Sequence, residues 1–313
     1  MWGYVVRKLA AALPVLLGAT LLAFLILRLS PGDPARLIAG EQASDADIQL
    51  IRRHLGLDKP FLVQYARFLG GLLQGDLGRS IRTGQSVRAE IGARFPYTFE
   101  LALASLVLSI GIGVGAGVAA AVRPNTVYDY GATLGALAGI STPTFWLGLL
   151  LMLAFSYYLG WLPASGRAGP IWTSEGLKSM VMPAVALGAP SAAIIARLTR
   201  SSLLEVLRQD YIRTARAKGL VHRIVIARHA LRNAMIPVVT VVGLRLGGLL
   251  GGAVITEQVF AWPGIGALIV TAIGARDYPV VQGAMLTTSL VFVAVNLAVD
   301  LLYALVDPRI RYT

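Results

Sequence analysis

The sequence predicts an all-α, polytopic membrane protein with six transmembrane helices, and three observations carry that prediction. First, 56% of the 313 residues are hydrophobic and only 14% are charged, where ordinary soluble domains carry roughly 25% charged residues; the mean hydropathy is +0.69. Second, the apolar residues gather into runs of about the 20 residues that a helix needs to cross a bilayer, a setting in which open sheet edges would leave their backbone groups unbonded. Third, the net charge of +12, from 28 Lys and Arg against 16 Asp and Glu, clusters beside those runs. This is the pattern of a membrane surface, and no nucleic-acid partner is expected. The absence of cysteine excludes disulfides and thiolate metal sites.

Leu9 to Leu29, preceded by Arg7 and Lys8, is the first span. A cleaved leader would have a shorter apolar core and a small-x-small site. Here the turn SPGDPA (Ser30 to Ala35) follows, so the span is expected to be retained. Residues 30–96 form the longest polar region. Within it Ser44, with Asp47 three residues on, reads as a helix start; Ile48, Ile51 and Leu55 share one face, and Gly56 stops the helix. A second helix is read from Phe61 to Leu73, with its apolar face against the membrane surface or the other spans.

Tyr97 to Val122 is the second span. Its GIGVGAG stretch (Gly111 to Gly117) nearly fits a dinucleotide fingerprint, but no strand precedes it, and close helix packing by small residues is the better reading. After the turn Arg123-Pro124-Asn125, Tyr128 to Leu159 reads as one long third span with Pro143 inside. A proline there frees carbonyls that must find water or protein. Thr142 and Pro143 are therefore candidates for a translocation path, with a plain kink as the other reading. Gly160 to Leu177 is a short loop with Trp161 and Trp172 at interface-like positions. Met180 to Leu198, interrupted by Pro183 and Pro190, is the weakest span; its Ser191 is a further path candidate.

A basic island follows, from Arg197 to Pro237. Asp210 to Lys218 (DYIRTARAK) tolerates helix throughout and ends at Gly219, which can take the left-handed conformation that closes one. Beyond a second basic run, Pro237 suits the first turn of a new helix, so the island reads as helix, glycine turn, helix and re-entry. The fifth span, Ala234 to Thr256, repeats Gly243, Gly247 and Gly251 along one packing face. Arg245, near its middle, costs roughly 2.5 to 3.5 kcal/mol on insertion scales and points some 160 to 200° from Gly243 and Gly247 at about 100° per residue. It either lines a path or pairs with a neighbouring helix, and both readings stay open. Val280 to Leu302 is the sixth span.

Charge sets the orientation. On the amino-terminal side the short segments hold Arg7, Lys8, Arg123, nine basic residues from Arg197 to Arg232, Arg309 and Arg311; short loops on the other side hold only Arg167, Lys178 and Arg276. The positive-inside rule puts both termini and the island in the cytoplasm.

RTARAKGL followed by RHALRNAMIP resembles the cytoplasmic EAA loop of ABC importer membrane subunits, in the form found in dipeptide, oligopeptide and nickel permeases. The general motif begins Glu-Ala-Ala and runs to a glycine four positions beyond the last alanine. Here those three positions are Arg213, Thr214 and Ala215, with Gly219 in place. The missing glutamate and first alanine, and the longer spacing to Pro237, point to the peptide subfamily. LGLDKP and QYARFLGGLLQGDLGRS resemble that subfamily's first external region, EQVFAWPGIGALI (Glu257 to Ile269) and DYPVVQG (Asp277 to Gly283) its last external loop, and DPRIRYT its ending.

The resemblance implies the type I ABC importer permease fold in one transmembrane domain, 1–313. Its parts would be a first span (1–29), an external region (30–96) and a five-helix core (97–313) with its coupling loop at 199–233. It implies that Asp210, Tyr211, Arg213, Thr214, Ala215, Lys218 and Gly219 couple to an ATPase. The implied partners are a second homologous permease, two ABC ATPase subunits and an extracytoplasmic substrate-binding protein, in a bacterial inner membrane. No cofactor would belong to this chain; ATP and Mg would belong to the ATPases. Peptides, nickel chelates and glutathione are substrates carried in the subfamily.

Other classes lack their residues. No GxxxxGK[ST] occurs, so no P-loop binds ATP. His54, His222 and His229 have no metal-ligand spacing, and Ser105, Ser109 and Ser191 have no histidine at span depth to form a hydrolase. A self-sufficient secondary carrier would need buried ionisable groups and repeats, but Glu100 and Asp300 lie near span ends and no repeat is seen.

Overall fold

The computed structural model describes residues 2–29, 35–36, 43–54 and 56–306. Of the turn expected at Ser30 to Ala35 only Ala35 is among them, and the closing DPRIRYT lies outside the described residues. In chain order the helices are α1 (Trp2–Leu29), α2 (Asp45–His54), α3 (Phe61–Leu73), α4 (Val87–Val122), α5 (Val127–Ser141), α6 (Thr144–Leu151), α7 (Ser174–Leu207), α8 (Asp210–Ala217), α9 (His222–Val259), α10 (Ile265–Gly274) and α11 (Tyr278–Val306). Among the described residues the only β pairing is an isolated bridge between Arg79 and Ser86. Helices α4, α7, α9 and α11 are long and apolar enough to cross a membrane, and α5 with α6 and its extension makes a fifth, broken span. With α1, whose stretch Ala10–Leu25 is apolar, the count is consistent with six.

The chain forms two compact units, Met1–Pro96 with Gly264–Leu297, and Tyr97–Pro263 with Ala298–Thr313. In the first, Ser44 and Asp47 form the expected capping box: Asp47 N donates to Ser44 Oγ at 3.2 Å, and Ser44 N donates to Asp47 Oδ2 at 3.3 Å. Gly56 follows at φ +65°, a conformation that costs a side chain about 1 kcal/mol or more. The apolar face of α3 lies against α1, where Phe61, Tyr65 and Phe68 surround the buried Phe24 with ring centroids 5.2 to 5.5 Å apart. Each such pair contributes about 0.5 to 1.5 kcal/mol beyond the area it buries. The loop before α4 is fastened to the residue before α11: Ser80 Oγ donates to Asp277, as do the backbone N–H groups of Ile81 at 3.2 Å and Arg82 at 3.3 Å. Beneath that knot Val87 and Ile91 pack with Ile265, Leu268, Val280 and Val281.

Helix α4 starts at Val87 and not at Tyr97. Its first turns are polar, so the apolar run begins later than the helix, and Pro96 is accommodated inside it. In the second unit the glycines of α4 do pack closely: a Cβ on Gly113 would fall 2.7 Å from Ala192 O, and one on Gly117 would fall 2.6 Å from Ala196 O. Ser109 Oγ, 2.8 Å from Gly188 O, ties the same two helices.

The third and fourth spans differ from expectation in opposite ways. The third is not one helix: α5 and α6 meet at 111°, because Thr142 (ψ 123°) and Pro143 (ψ 135°) are both extended, as the residue before a proline prefers. The fourth is not interrupted. Helix α7 runs 34 residues through both Pro183 and Pro190, and 72% of its apolar window is buried, against 28 to 39% for α4, α9 and α11. Its modest hydropathy reflects Ala, Gly and Ser facing other helices, where small residues permit close approach. Pro237 likewise lies inside a helix and does not begin one, since α9 is continuous from His222.

Candidate functional site

The basic loop is built around α8, whose two faces differ sharply. Ile212 is fully buried and Ala215 nearly so, packed in a cluster with Ala121, Leu203, Val225, Ala230 and Ala234. Asp210, Tyr211, Arg213, Thr214 and Lys218 are exposed on the other face. Alternation of this kind anchors an eight-residue helix that propensity alone could not hold in water. Asp210 stands in the first turn and Arg216 in the last, each the favourable charge for that end of the helix dipole.

Three contacts fix the outer face. Arg213 Nη1 lies 3.3 Å from Asp210 Oδ1, an exposed pair worth well under 1 kcal/mol. Asn233 Nδ2 donates to the Tyr211 hydroxyl at 2.8 Å, linking α8 to α9. Gly219 N donates to Arg216 O at 3.0 Å, and Gly219 itself takes φ +75° with no atom within 4 Å of an added Cβ. The glycine is therefore required by backbone conformation and not by space. Of the seven residues the resemblance assigned to coupling, Ala215 alone is turned into this chain's own core; the other six are exposed.

The four path candidates lie on three different elements. Thr142 is half-buried and Pro143 exposed at the break between α5 and α6. Ser191 is buried in α7. Arg245 is half-buried on α9, and the packing face expected at Gly243, Gly247 and Gly251 is shifted. Gly247 is buried, but Gly251 is exposed with open space around it, while Gly252 faces Leu187 at 3.8 Å. The contact turns along the helix, because four residues advance slightly beyond one 3.6-residue turn.

Several charged residues that did not stand out in the sequence prove to be structural ties. Asp129, on α5, accepts Arg200 Nε at 2.6 Å, Arg200 Nη2 at 2.8 Å and the Asn125 backbone N–H at 2.9 Å. At the other end of α4, Arg167 forms a two-pronged bond with Glu100 at 3.1 and 3.2 Å and lies 4.7 Å over the Tyr97 ring. Thr98 Oγ1 donates to the fully buried Glu257 at 2.6 Å, and Trp262 Nε1 donates to Tyr97 O at 2.9 Å. The available signal was an acid flanked by apolar residues at a helix end, which predicts a partner without naming it. Among the described residues no three His, Cys, Asp or Glu gather as a metal site.

Residues 88–312 match the family model described as the binding-protein-dependent transport system inner membrane component, and residues 1–102 match that family's N-terminal model. The chain is 46% identical to the dipeptide transport system permease protein DppB of Alkalihalophilus pseudofirmus, over all of both chains. It is 44% identical to the di/tripeptide transport system permease protein DppB of Pseudomonas aeruginosa (100% of this chain, 99% of that one), and 47% identical to the glutathione transport system permease protein GsiC of Salmonella paratyphi A, over all of both. Among solved structures, the MetNI methionine ABC transporter in inward-facing conformations is similar, with TM-score 0.56 and 17% identity over 70% of this chain and 96% of that one. This likeness shows the fold, that of type I ABC importer permeases. With family models spanning its length and relatives near half identity throughout, this chain belongs to the family of inner-membrane components of binding-protein-dependent transport systems.

Proposed function

We propose that this chain is one of two permease subunits forming the translocation path of an ATP-driven importer of di- or oligopeptides in a bacterial inner membrane. The observation that carries the reading is the full-length identity of 44 to 47% to permeases named for dipeptides, di/tripeptides and glutathione, itself a tripeptide. Glutathione import is the second reading, favoured by the 47% identity to the GsiC relative. Family membership sets aside the self-sufficient secondary carrier.

In this reading the island and both termini are cytoplasmic, and the exposed face of α8 docks on an ATPase subunit that holds ATP and Mg. A second permease completes the path and an external binding protein delivers the peptide. The chain itself breaks no bond. Anchored by Ile212 and Ala215, α8 would pass the motion of the ATPase pair to α7 and α9, between which it lies in the chain.

The test is purification of the tagged chain with uptake of labelled di- and tripeptides by cells that lack or carry it. An ATPase should accompany it, and uptake should depend on it. Protease added to right-side-out vesicles should spare Arg200 to Arg232; cleavage there, or a chain that purifies without an ATPase, would sink the reading. Arg245→Gln and Arg245→Leu resolve that residue's role: lost uptake with intact assembly places it in the path, and failed assembly makes it a structural partner.

A further inference from the structure

Beside α4, between α5 and α7, runs an apolar groove of about 350 Å³. Small residues such as Ala132, Gly135, Ala189 and Ala193 line most of it, with Leu108 and Ile112 contributed by α4. A Cβ built on Gly135 would meet nothing within 4 Å, so the glycine there leaves room and does not close a helix contact. Along α7 the lining extends from Ala184 to Ala196, about 18 Å at 1.5 Å per residue. One leaflet's hydrocarbon is about 15 Å, half of the ~30 Å core.

Toward the basic loop the groove changes character. A second groove of about 530 Å³ is lined by Thr133, Arg197, Arg200 and Ser201, and a small recess bordered by Ala132, Ala196, Arg197 and Arg200 joins the two. Arg200 is engaged by Asp129. Arg197 is exposed and, among the described residues, unpaired, so the polar end of the combined site keeps a free guanidinium near the Thr133 hydroxyl, while the Ser201 hydroxyl donates to Leu198 O at 3.0 Å.

We propose that this two-part groove binds an anionic phospholipid from the leaflet on the basic-loop side, with an acyl chain along Gly135 and Ala193 and its phosphate against Arg197. The order of surfaces, one leaflet of apolar wall followed by a cation, is complementary to the acyl chain and phosphate of such a lipid. A peptide in transit fits poorly, because the apolar walls would leave its amides unbonded. That this leaflet is the cytoplasmic one rests on the orientation proposed above; the binding does not.

Native mass spectrometry of the transporter, purified with its partner subunits and incubated with phosphatidylglycerol or phosphatidylcholine of matched chains, tests the site. Phosphatidylglycerol should be retained in preference. Arg197→Gln should lower its retention about fivefold, the worth of one basic residue near an anionic surface, while leaving phosphatidylcholine unchanged. Gly135→Leu, which fills the apolar groove, should lower retention of both. Equal retention of the two lipids by the wild-type transporter, or an Arg197→Gln complex that keeps the preference, overturns the proposal. So does efficient cross-linking of Gly135→Cys to another subunit, which assigns the groove to protein. The readout is lipid and not uptake, so its failure leaves the transport reading standing.

Discussion

Asp129 and Arg200 face each other across α5 and α7 in a two-pronged ion pair, at 2.6 and 2.8 Å, with the aspartate side chain 4% exposed and the arginine 34%. The pair also closes the turn before α5, since Asp129 takes the N–H of Asn125, a residue held at φ +61°. Removing one member of such a pair strands the other. Asp129→Ala should lower the melting temperature of the purified transporter, because it strands the Arg200 guanidinium, and Asp129→Ala with Arg200→Leu should lower it less than Asp129→Ala alone. Thermal melting of the wild type, Asp129→Ala and the double variant checks this; a double variant that melts below Asp129→Ala would show that the two residues do not act as a pair.

The glycines of α4 should divide into two classes within one short stretch. Gly113→Ala and Gly117→Ala push a methyl against the backbone of α7, an overpacking that typically costs about 1 to 3 kcal/mol. Gly111→Ala and Gly115→Ala meet nothing within 4 Å and should be neutral or stabilise by up to about 1 kcal/mol through helix propensity. Melting temperatures of the four variants should alternate along the sequence.

In the basic loop, backbone and packing effects can be separated from docking. Gly219→Val should impair coupling although its side chain has room, whereas Gly219→Asn, which tolerates left-handed backbone, should retain most of it. Ala215→Asp buries a charge in the cluster around Ile212 and should render the loop protease-sensitive even without an ATPase. Arg213→Glu should leave the loop folded and alter only ATPase association. ATPase pull-down with limited proteolysis distinguishes these, and an Ala215→Asp loop as resistant as wild type would contradict its inward placement.

Asp277→Ala should release the loop before α4. Three donors would lose a buried carboxylate, and hydrogen bonds to charged groups contribute about 1.5 to 3 kcal/mol each. Trypsin should then cut at Arg82 faster than in the wild type, with α1 and α3 unaffected because Phe24 and Tyr65 lie outside that network.

Much of this was legible in the sequence where local rules act alone. The capping box at Ser44, the helix from Phe61 to Leu73 and the loop helix from Asp210 to Gly219 each depend on neighbours within about one turn, and each appeared where periodicity and turn chemistry placed it. The span of α7 was read as the weakest because of its two prolines, yet it is the helix most enclosed by protein, and that enclosure holds it together through both. Hydropathy misjudged α4, whose polar first turns continue a helix beyond its apolar run. Proline was read as an interruption at Pro183 and Pro190, as a helix start at Pro237 and as internal to one span at Pro143, and the structure reverses each of these. At Pro143 the chain does break, while at Pro183, Pro190 and Pro237 the lost hydrogen bond is outweighed by the surrounding packing. The pairing of Asp129 with Arg200, or of Glu257 with Thr98, depends on which helices become neighbours, and no local pattern specifies that.

Helix α7 joins α8 through only Arg208 and Gln209, which gives the basic loop leverage. A 34-residue helix is about 51 Å long at 1.5 Å per residue, so a tilt of about 10° imposed at its loop end would swing the far end by about 9 Å. The half nearest the loop, Ser191 to Leu207, contains no proline and acts as the stiff part of the lever. The compliance lies farther on, at Pro183 and Pro190, where missing hydrogen bonds let the shaft flex. In the proposed coupling, a push on α8 would be carried along the proline-free half of α7 and partly absorbed at Pro183 and Pro190.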